Sequence, residues 1–268
     1  MVSNVWRKIV VTIATIMLVA GLGLFLFPIV SNFIGTQISN AETENFETQA
    51  TNIVEDMSFE EAVEEGIVDN EGYPIDKEGN RTSDTRVVFE IDIARLFEDS
   101  IAYNTGLKNN QSSNIVGDDA FASPVLDLES YGIMDGIYGY VSAPTIGMRL
   151  PIFLGASDAN MSYGVGHMTH TSLPVGGENT NTVLAGHTGY IGRVFFDNLR
   201  NLAIGDKVTV RNYWTNLEYR VVATKICKPN EAEDILIKDG KDLLTMITCI
   251  SGRGDEFDRY YVICERVN

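Results

Sequence analysis

The 268-residue chain carries 20 Lys plus Arg against 37 Asp plus Glu, a formal net charge of −17. That excess of acid excludes a broad nucleic-acid-binding surface, because phosphate contacts need clustered Lys and Arg. Hydrophobic residues at 44% and seven scattered prolines exclude a disordered or fibrous chain, and three cysteines are too few and too odd in number for a disulfide scaffold.

From Ile9 to Pro28 no residue is charged, and Ile29 to Ile34 adds only Ser31 and Asn32 as clearly polar. About 20 apolar residues at ~1.5 Å each cross a bilayer core of ~30 Å. Arg7 and Lys8 precede this run and no acidic residue stands upstream of Glu42. The positive-inside rule therefore places 1–8 in the cytoplasm, 9–34 as a transmembrane anchor, and everything after it outside. A cleaved signal peptide is the competing reading, with Ser39-Asn40-Ala41 as a poor small-x-small site; the apolar run is long for one, and a retained anchor is favoured. The expectation is a single-pass cell-membrane protein with an extracellular domain.

Residues 35–130 read as an extracytoplasmic N-terminal extension. Within it, 41–65 is crowded with Glu and suggests a solvated tether and helix; Ser58 with Glu61 makes a capping box for a short helix that Gly66 can end. The stretch DNEGYPIDKEGN, 69–80, alternates turn residues with acids. It lacks the EF-hand spacing and terminal Glu, so a hairpin or surface turn is expected rather than a calcium loop. Val87 to Ile91 reads as a strand, and Asp92 as the cap of a helix with the apolar stripe Leu96, Phe97, Ile101 and Leu107. Asn109 to Phe121, polar and without a period, reads as a loop.

From about Met134 short strands alternate with Gly, Pro and Asn: 136–143, 146–153, 181–187, 206–214, 217–227, 243–249 and 259–266. VTVRNYW and LEYRVVATKI, joined at Thr215-Asn216, look like a hairpin. Regular turns without long intervening helices favour a closed or nearly closed β-barrel, here 131–268, over an α/β sheet. Arg193 to Leu202 is the expected short helix between strands.

Three residues near strand ends could act together. Cys249 ends LLTMITC directly before Gly252 and Gly254, His187 lies in LAGHTG, and Arg259 opens RYYVICERV. A Cys and a His distant in sequence but joined by the fold form a nucleophile pattern, and Arg can hold a developing oxyanion with fixed N–H donors. On these features alone the bland reading leads: a Cys at a strand end is more often an inert small hydrophobe, and a lone His beside Gly more often a turn residue.

The surrounding residues resemble the sortase family. TMITC at 245–249 is similar to its Thr-Leu-x-Thr-Cys signature with Met246 for Leu, Arg259 follows ten residues later, and LAGHTG at 184–189 matches its His segment. GVGHMTHTSLPVGGENTNTVLAGHTG (164–189), FPIVSN (27–32), LPIFLGAS (150–157) and the Tyr103-Asn104 pair resemble the class C, pilin-polymerising branch. Departures are ISGRGDEFD between Cys249 and Arg259, which introduces Arg253 as a rival Arg, and the lack of the second, C-terminal membrane helix usual in class C.

The resemblance implies a mostly β fold, a closed eight-stranded sortase barrel with short helices after an N-terminal helical extension and one transmembrane helix. It implies a Gram-positive cell-surface transpeptidase that cleaves a Leu-Pro-x-Thr-Gly-like signal between Thr and Gly. Cys249 would hold the acyl group as a thioester, His187 would act as acid and base, and Arg259 would fix the oxyanion. Partners would be sorting signals of pilins or surface proteins and an amine, from a pilin lysine or, in the housekeeping alternative, a cell-wall peptide. No metal or organic cofactor is required. Asp119-Ala120-Phe121 stands where class C members place an Asp-Pro-aromatic lid over the Cys, with Ala for Pro. Elsewhere bland readings lead: His167 and His170 form an i, i+3 pair without two further credible zinc ligands, and Cys227 and Cys264 read as buried strand thiols, less readily as a disulfide. A cysteine protease and a non-enzymatic surface scaffold are the competing function classes.

Overall fold

The computed structural model describes residues 2–51, 53–54, 59–83, 87–89, 91–108, 111, 121–228, 231, 233–251 and 257–267. Helix α1, Val2–Thr51, is continuous through Pro28, and its N-terminal part is long and apolar enough to cross a membrane, with none of that window buried against the protein. The helix also runs on past residue 41, where a solvated tether was expected. Ser39, Thr43 and Phe46 are buried, an i, i+4, i+7 stripe that seats the helix on the barrel. Phe46 packs between Tyr140 and Tyr213 at ring distances of 6.0 and 4.7 Å. Glu47 beside the stripe pairs with Arg211 at 3.2 Å and accepts a hydrogen bond from the Tyr140 hydroxyl. The dense Glu masked a narrow buried face.

Two short parallel strands, β1 (Ile53–Val54) and β2 (Val88–Phe89), bracket an acidic insert. In it α2, Phe59–Glu64, ends before Gly66, whose φ of 69° suits glycine; the expected capping residue Ser58 lies outside the described residues. The 69–80 stretch forms the expected turns. Val68 bridges Pro74, Ile75 bridges Arg81, and the carboxylates of Asp69 and Asp76 each accept backbone N–H groups two and four residues on.

Helix α3, Ile93–Lys108, is capped as expected: the Asp92 carboxylate accepts from Arg95 N at 3.0 Å. Its buried face differs from the expected apolar stripe. Leu96 and Leu107 are buried, but Phe97 and Ile101 are exposed, and Ser100 and Asn104 take their places inside. Ser100 meets the Tyr138 hydroxyl at 2.9 Å. Asn104 makes a two-way bond to Leu173, donating to its carbonyl at 3.1 Å and accepting from its N–H at 2.7 Å. Buried polar groups that carry out such pairing are invisible to a hydrophobic pattern. With the Tyr103 hydroxyl accepting from His170 N at 3.0 Å, Asn104 fastens α3 to residues 170–173.

The barrel strands are β3 (Ile137–Ala143), β4 (Met148–Leu154), β5 (Val165–His167), β6 (Thr180–Ala185), β7 (Lys207–Asn212), β8 (Asn216–Cys227), β9 (Asp242–Ser251) and β10 (Phe257–Arg266), closed in the order β10-β8-β7-β3-β4-β5-β6-β9. Seven match the expected strands. The eighth, β5, was missed because it has three residues and a central Gly. The β7–β8 hairpin forms with Val210 opposite Leu217. The expected helix at Arg193–Leu202 reduces to one tight turn, Leu199–Asn201. Phe195, Phe196, Leu199 and Leu202 are buried in the barrel core with Leu184, Leu244 and Met246, so they plug the barrel and have no need of a helical stripe.

Asn104→Ala should cost about 1–3 kcal/mol, because it leaves the buried Leu173 N–H unpaired and its carbonyl with the Val175 N–H alone. Urea unfolding measures this; a change within about 0.5 kcal/mol, ordinary for a surface site, contradicts the assignment.

Candidate active site

Strand β9 is bonded on both sides. It runs parallel to β6, with Val183 opposite Thr245 and Ala185 opposite Ile247, and antiparallel to β10, with Tyr261 opposite Ile247 and Arg259 opposite Cys249. Side chains alternate between faces, so Leu244 and Met246 fill the barrel while Ile247 packs outside with Val183 and Tyr261. Cys249 falls on this outer face and is exposed. An Arg259 guanidinium N–H donates to the Cys249 Sγ at 2.6 Å. The parallel register persists past β6, since Gly186 N donates to Ile247 O at 3.1 Å. Two residues beyond the Ala185–Ile247 pair, it sets His187 level with Cys249. Cys249 and Arg259 therefore meet at adjacent strand ends, and the register brings His187 to the same level on the other side of β9.

His187 is braced by groups that the sequence reading did not single out. Its ring stacks on Tyr190, 5.4 Å away and tilted by 13°, and Tyr190 meets Phe195 edge-on at 5.5 Å. Its carbonyl accepts from Phe196 N at 3.0 Å. A Cβ on Gly186 would stand 2.8 Å from the Phe196 ring, so the close approach of the plug needs glycine there. Thr248, buried beside Cys249, donates to Gly186 O at 2.7 Å and meets the Thr188 hydroxyl at 2.6 Å. Thr248 thus ties the Cys strand to the His strand, which is a reason for a Thr directly before the Cys. Its presence in TMITC was the available signal; nothing comparable marked Tyr190.

Phe121, half-buried, packs against the outer cluster of Val183, Cys227, Ile235, Ile247 and Tyr261. Its carbonyl accepts from Ala156 N at 2.8 Å and Thr169 N at 3.3 Å. A Cβ on Gly155, at φ 86°, would stand 2.4 Å from Ala122 O. On the other side of 112–120, Gln111 donates to His170 O at 3.1 Å and accepts from Ile237 N at 2.6 Å. Both flanks of that segment are therefore pinned beside the Cys249 face. Asp119, the other expected lid residue, lies outside the described residues, as do Gly252, Arg253 and Gly254.

Cys227, Cys264 and His167 are structural. Cys227 stands opposite Arg259 on the outer face, whereas Cys264 stands opposite Val221 inside the barrel. They are six residues apart along β8, about 20 Å at ~3.3 Å per residue, which excludes a disulfide in this fold. Burial pushes the Cys227 thiol up and the Cys264 thiol up to about 12. His167 is fully buried with Nε2 at 3.1 Å from the carbonyls of Thr171 and Ser172, a core role in place of a metal ligand. Among the described residues no group of three or more His, Cys, Asp or Glu could hold a metal ion.

A model of the sortase domain family matches residues 141–267. A crystal structure of Streptococcus agalactiae sortase C1 is 30% identical and superposes with a TM-score of 0.59, covering 66% of this chain and 90% of that one. Clostridium perfringens sortase C, solved with the C-terminal cell wall sorting motif, is 32% identical with a TM-score of 0.54, covering 66% and 90%. Sortase A of Bacillus anthracis is 29% identical over 126 residues, 47% of this chain and 58% of that protein; the chain spans about half the length of the curated relatives it matches.

In the folded protein a small disulfide reagent should titrate Cys249 promptly, Cys227 slowly and Cys264 only on unfolding. Prompt reaction of two or more thiols contradicts the burial described. Burial also pushes His167 down to about 4. The unfolded chain takes up this proton near pH ~6.5, so the stability His167 contributes is complete above ~6.5 and is lost as pH falls toward the folded value. NMR of its ring should show a neutral imidazole at pH ~5; titration at the ordinary ~6.5 contradicts this.

Proposed function

The chain belongs to the sortase family of cysteine transpeptidases, and on that premise we propose that it is a membrane-anchored enzyme that cleaves a Leu-Pro-x-Thr-Gly-like sorting signal between Thr and Gly and joins the Thr carbonyl to an amine. The observation that carries this reading is Arg259 donating to Cys249 Sγ at 2.6 Å, at a strand end level with His187. Sγ attacks the Thr carbonyl carbon, and Arg259, on the adjacent strand, holds the developing oxyanion. His187 as imidazolium gives a proton to the departing Gly amine, so the peptide bond breaks and a thioester to Cys249 remains. The incoming amine attacks the thioester carbonyl, His187 takes its proton, and the thiolate leaves. Atoms and charge balance without a cofactor. The sorting-motif complex of C. perfringens sortase C supports the substrate class.

A pilin lysine is the preferred acceptor, because the structural neighbours quoted are sortases C; a cell-wall peptide amine is the alternative. The apolar window of α1 supports a retained single-pass anchor, with the N-terminus cytoplasmic because Arg7 and Lys8 precede it. The proposed lid is Asp119 with Phe121. It is supported by Phe121 packing on the outer face that Ile247 shares with Cys249.

Full-length protein in detergent, given a sorting-signal peptide and a free amine, should yield the amide. Hydrolysis alone indicates a protease, and no turnover a scaffold. Cys249→Ala should abolish ligation, and His187→Ala and Arg259→Ala should each slow it at least ~100-fold. Arg259→Lys should not restore the rate, since Lys lacks the planar fork; if Arg253→Ala is the more damaging change, the oxyanion role belongs there. For the lid, the Asp119→Ala, Phe121→Ala double variant should speed thiol modification of Cys249; an unchanged rate means 119–121 does not cover the site.

A further inference from the structure

Given the membrane anchor proposed above, we infer that the Tyr190–Ile191 tip of the loop after His187 is a second membrane contact, seated in the lipid headgroup layer beside α1. The placement follows from bonds between that loop and the helix. Gly192 N donates to the Asn32 side chain at 3.2 Å. Gly35 lies so close that a Cβ there would stand 2.0 Å from Gly192 O. Arg193 pairs with Glu42 at 3.2 Å with only 14% of its side chain exposed. Loop residues 192–193 are thus held against helix residues 32–42, just where the apolar run ends.

Counting from Ile9, the first residue after Arg7 and Lys8, about 20 residues of helix fill a ~30 Å hydrocarbon core and end near Pro28. Asn32 then stands four residues higher, ~6 Å into a headgroup layer of comparable depth. Ile191, next in sequence to Gly192, shares that level and is 77% exposed; Tyr190 is 39% exposed. A Tyr with an Ile at this depth matches the preference of amphipathic rings for the membrane–water boundary. The contact is apolar in kind. Arg193 is already paired with Glu42, and the acidic chain offers anionic lipid no net attraction. It is also shallow, because Asp197 in the same loop accepts from Gly189 N and Phe195 N and would resist entry into hydrocarbon. Since Tyr190 stacks on His187, the contact fixes the height of the catalytic strand ends above the bilayer.

Met134 is the internal control. It is also 77% exposed, but its neighbour Asp135 lies beside Gln49, which is seventeen residues and about 25 Å beyond Asn32 along α1. Full-length protein with Cys249→Ala is reconstituted into phosphatidylcholine vesicles carrying headgroup or deep-chain quenchers. One environment-sensitive fluorophore is attached through Leu22→Cys, Ile191→Cys or Met134→Cys. The label at 22 should lose emission to the deep quencher, that at 191 to the headgroup quencher, and that at 134 to aqueous iodide only. Addition of phosphatidylglycerol should leave the 191 result unchanged. A label at 191 as open to iodide as that at 134, with 22 still quenched from the chains, overturns the loop contact while leaving the anchor intact. A label at 22 open to iodide overturns both.

Discussion

Strand Asp242–Ser251 is hydrogen-bonded along both edges, parallel to β6 and antiparallel to β10, and the rest of the site depends on that double register. A one-residue slip against either neighbour would exchange inner for outer side chains. It would turn Cys249 into the barrel and break the level at which Arg259 and His187 meet it. Several buried groups resist such a slip. Leu244 and Met246 are locked in the interior, Thr245 donates to the Asn181 side chain at 2.9 Å, and Thr248 reaches Gly186 O. Barrel closure removes the remaining freedom, because β9 and β10 are paired to each other and each to a further strand, β6 and β8.

Around this register the molecule supports the His side more heavily than the Cys side. The plug of Phe195, Phe196, Leu199 and Leu202 enters the barrel directly behind the His187 loop. Tyr190 bridges His187 to that plug, and Arg193 ties the same loop to Glu42 of α1. In the proposed mechanism His187 gives and takes a proton at two successive steps, and a fixed ring orientation favours both. Cys249, by contrast, stays exposed at a strand end, where an extended peptide can reach it.

What was legible in the sequence was what depends on alternation and punctuation. Seven of eight barrel strands, the Asp92 cap and the 69–80 turns follow from local pattern. The candidate triad followed from strand-end position joined to the resemblance of TMITC and LAGHTG to known motifs. What was not legible depends on partners far away in the chain. Ser100 and Asn104 stand outside the apolar stripe expected of α3, and only Tyr138 and Leu173 explain their burial. The Glu-rich 41–51 read as solvated until Phe46 finds Tyr213. The segment 193–202 read as a helix because its apolar residues are dense, yet they are dense because they fill a barrel. Strand β5 was too short to give a period at all.

The central claim is that Cys249 carries the acyl group between two substrates. Mass spectrometry of the full-length protein quenched in acid during turnover of a sorting-signal peptide tests it most directly. The account predicts a covalent adduct of the peptide up to its Thr, confined to the Cys249 fragment and discharged by a free amine. Cleavage and ligation proceeding with no adduct on Cys249, or with the adduct on another residue, would contradict it.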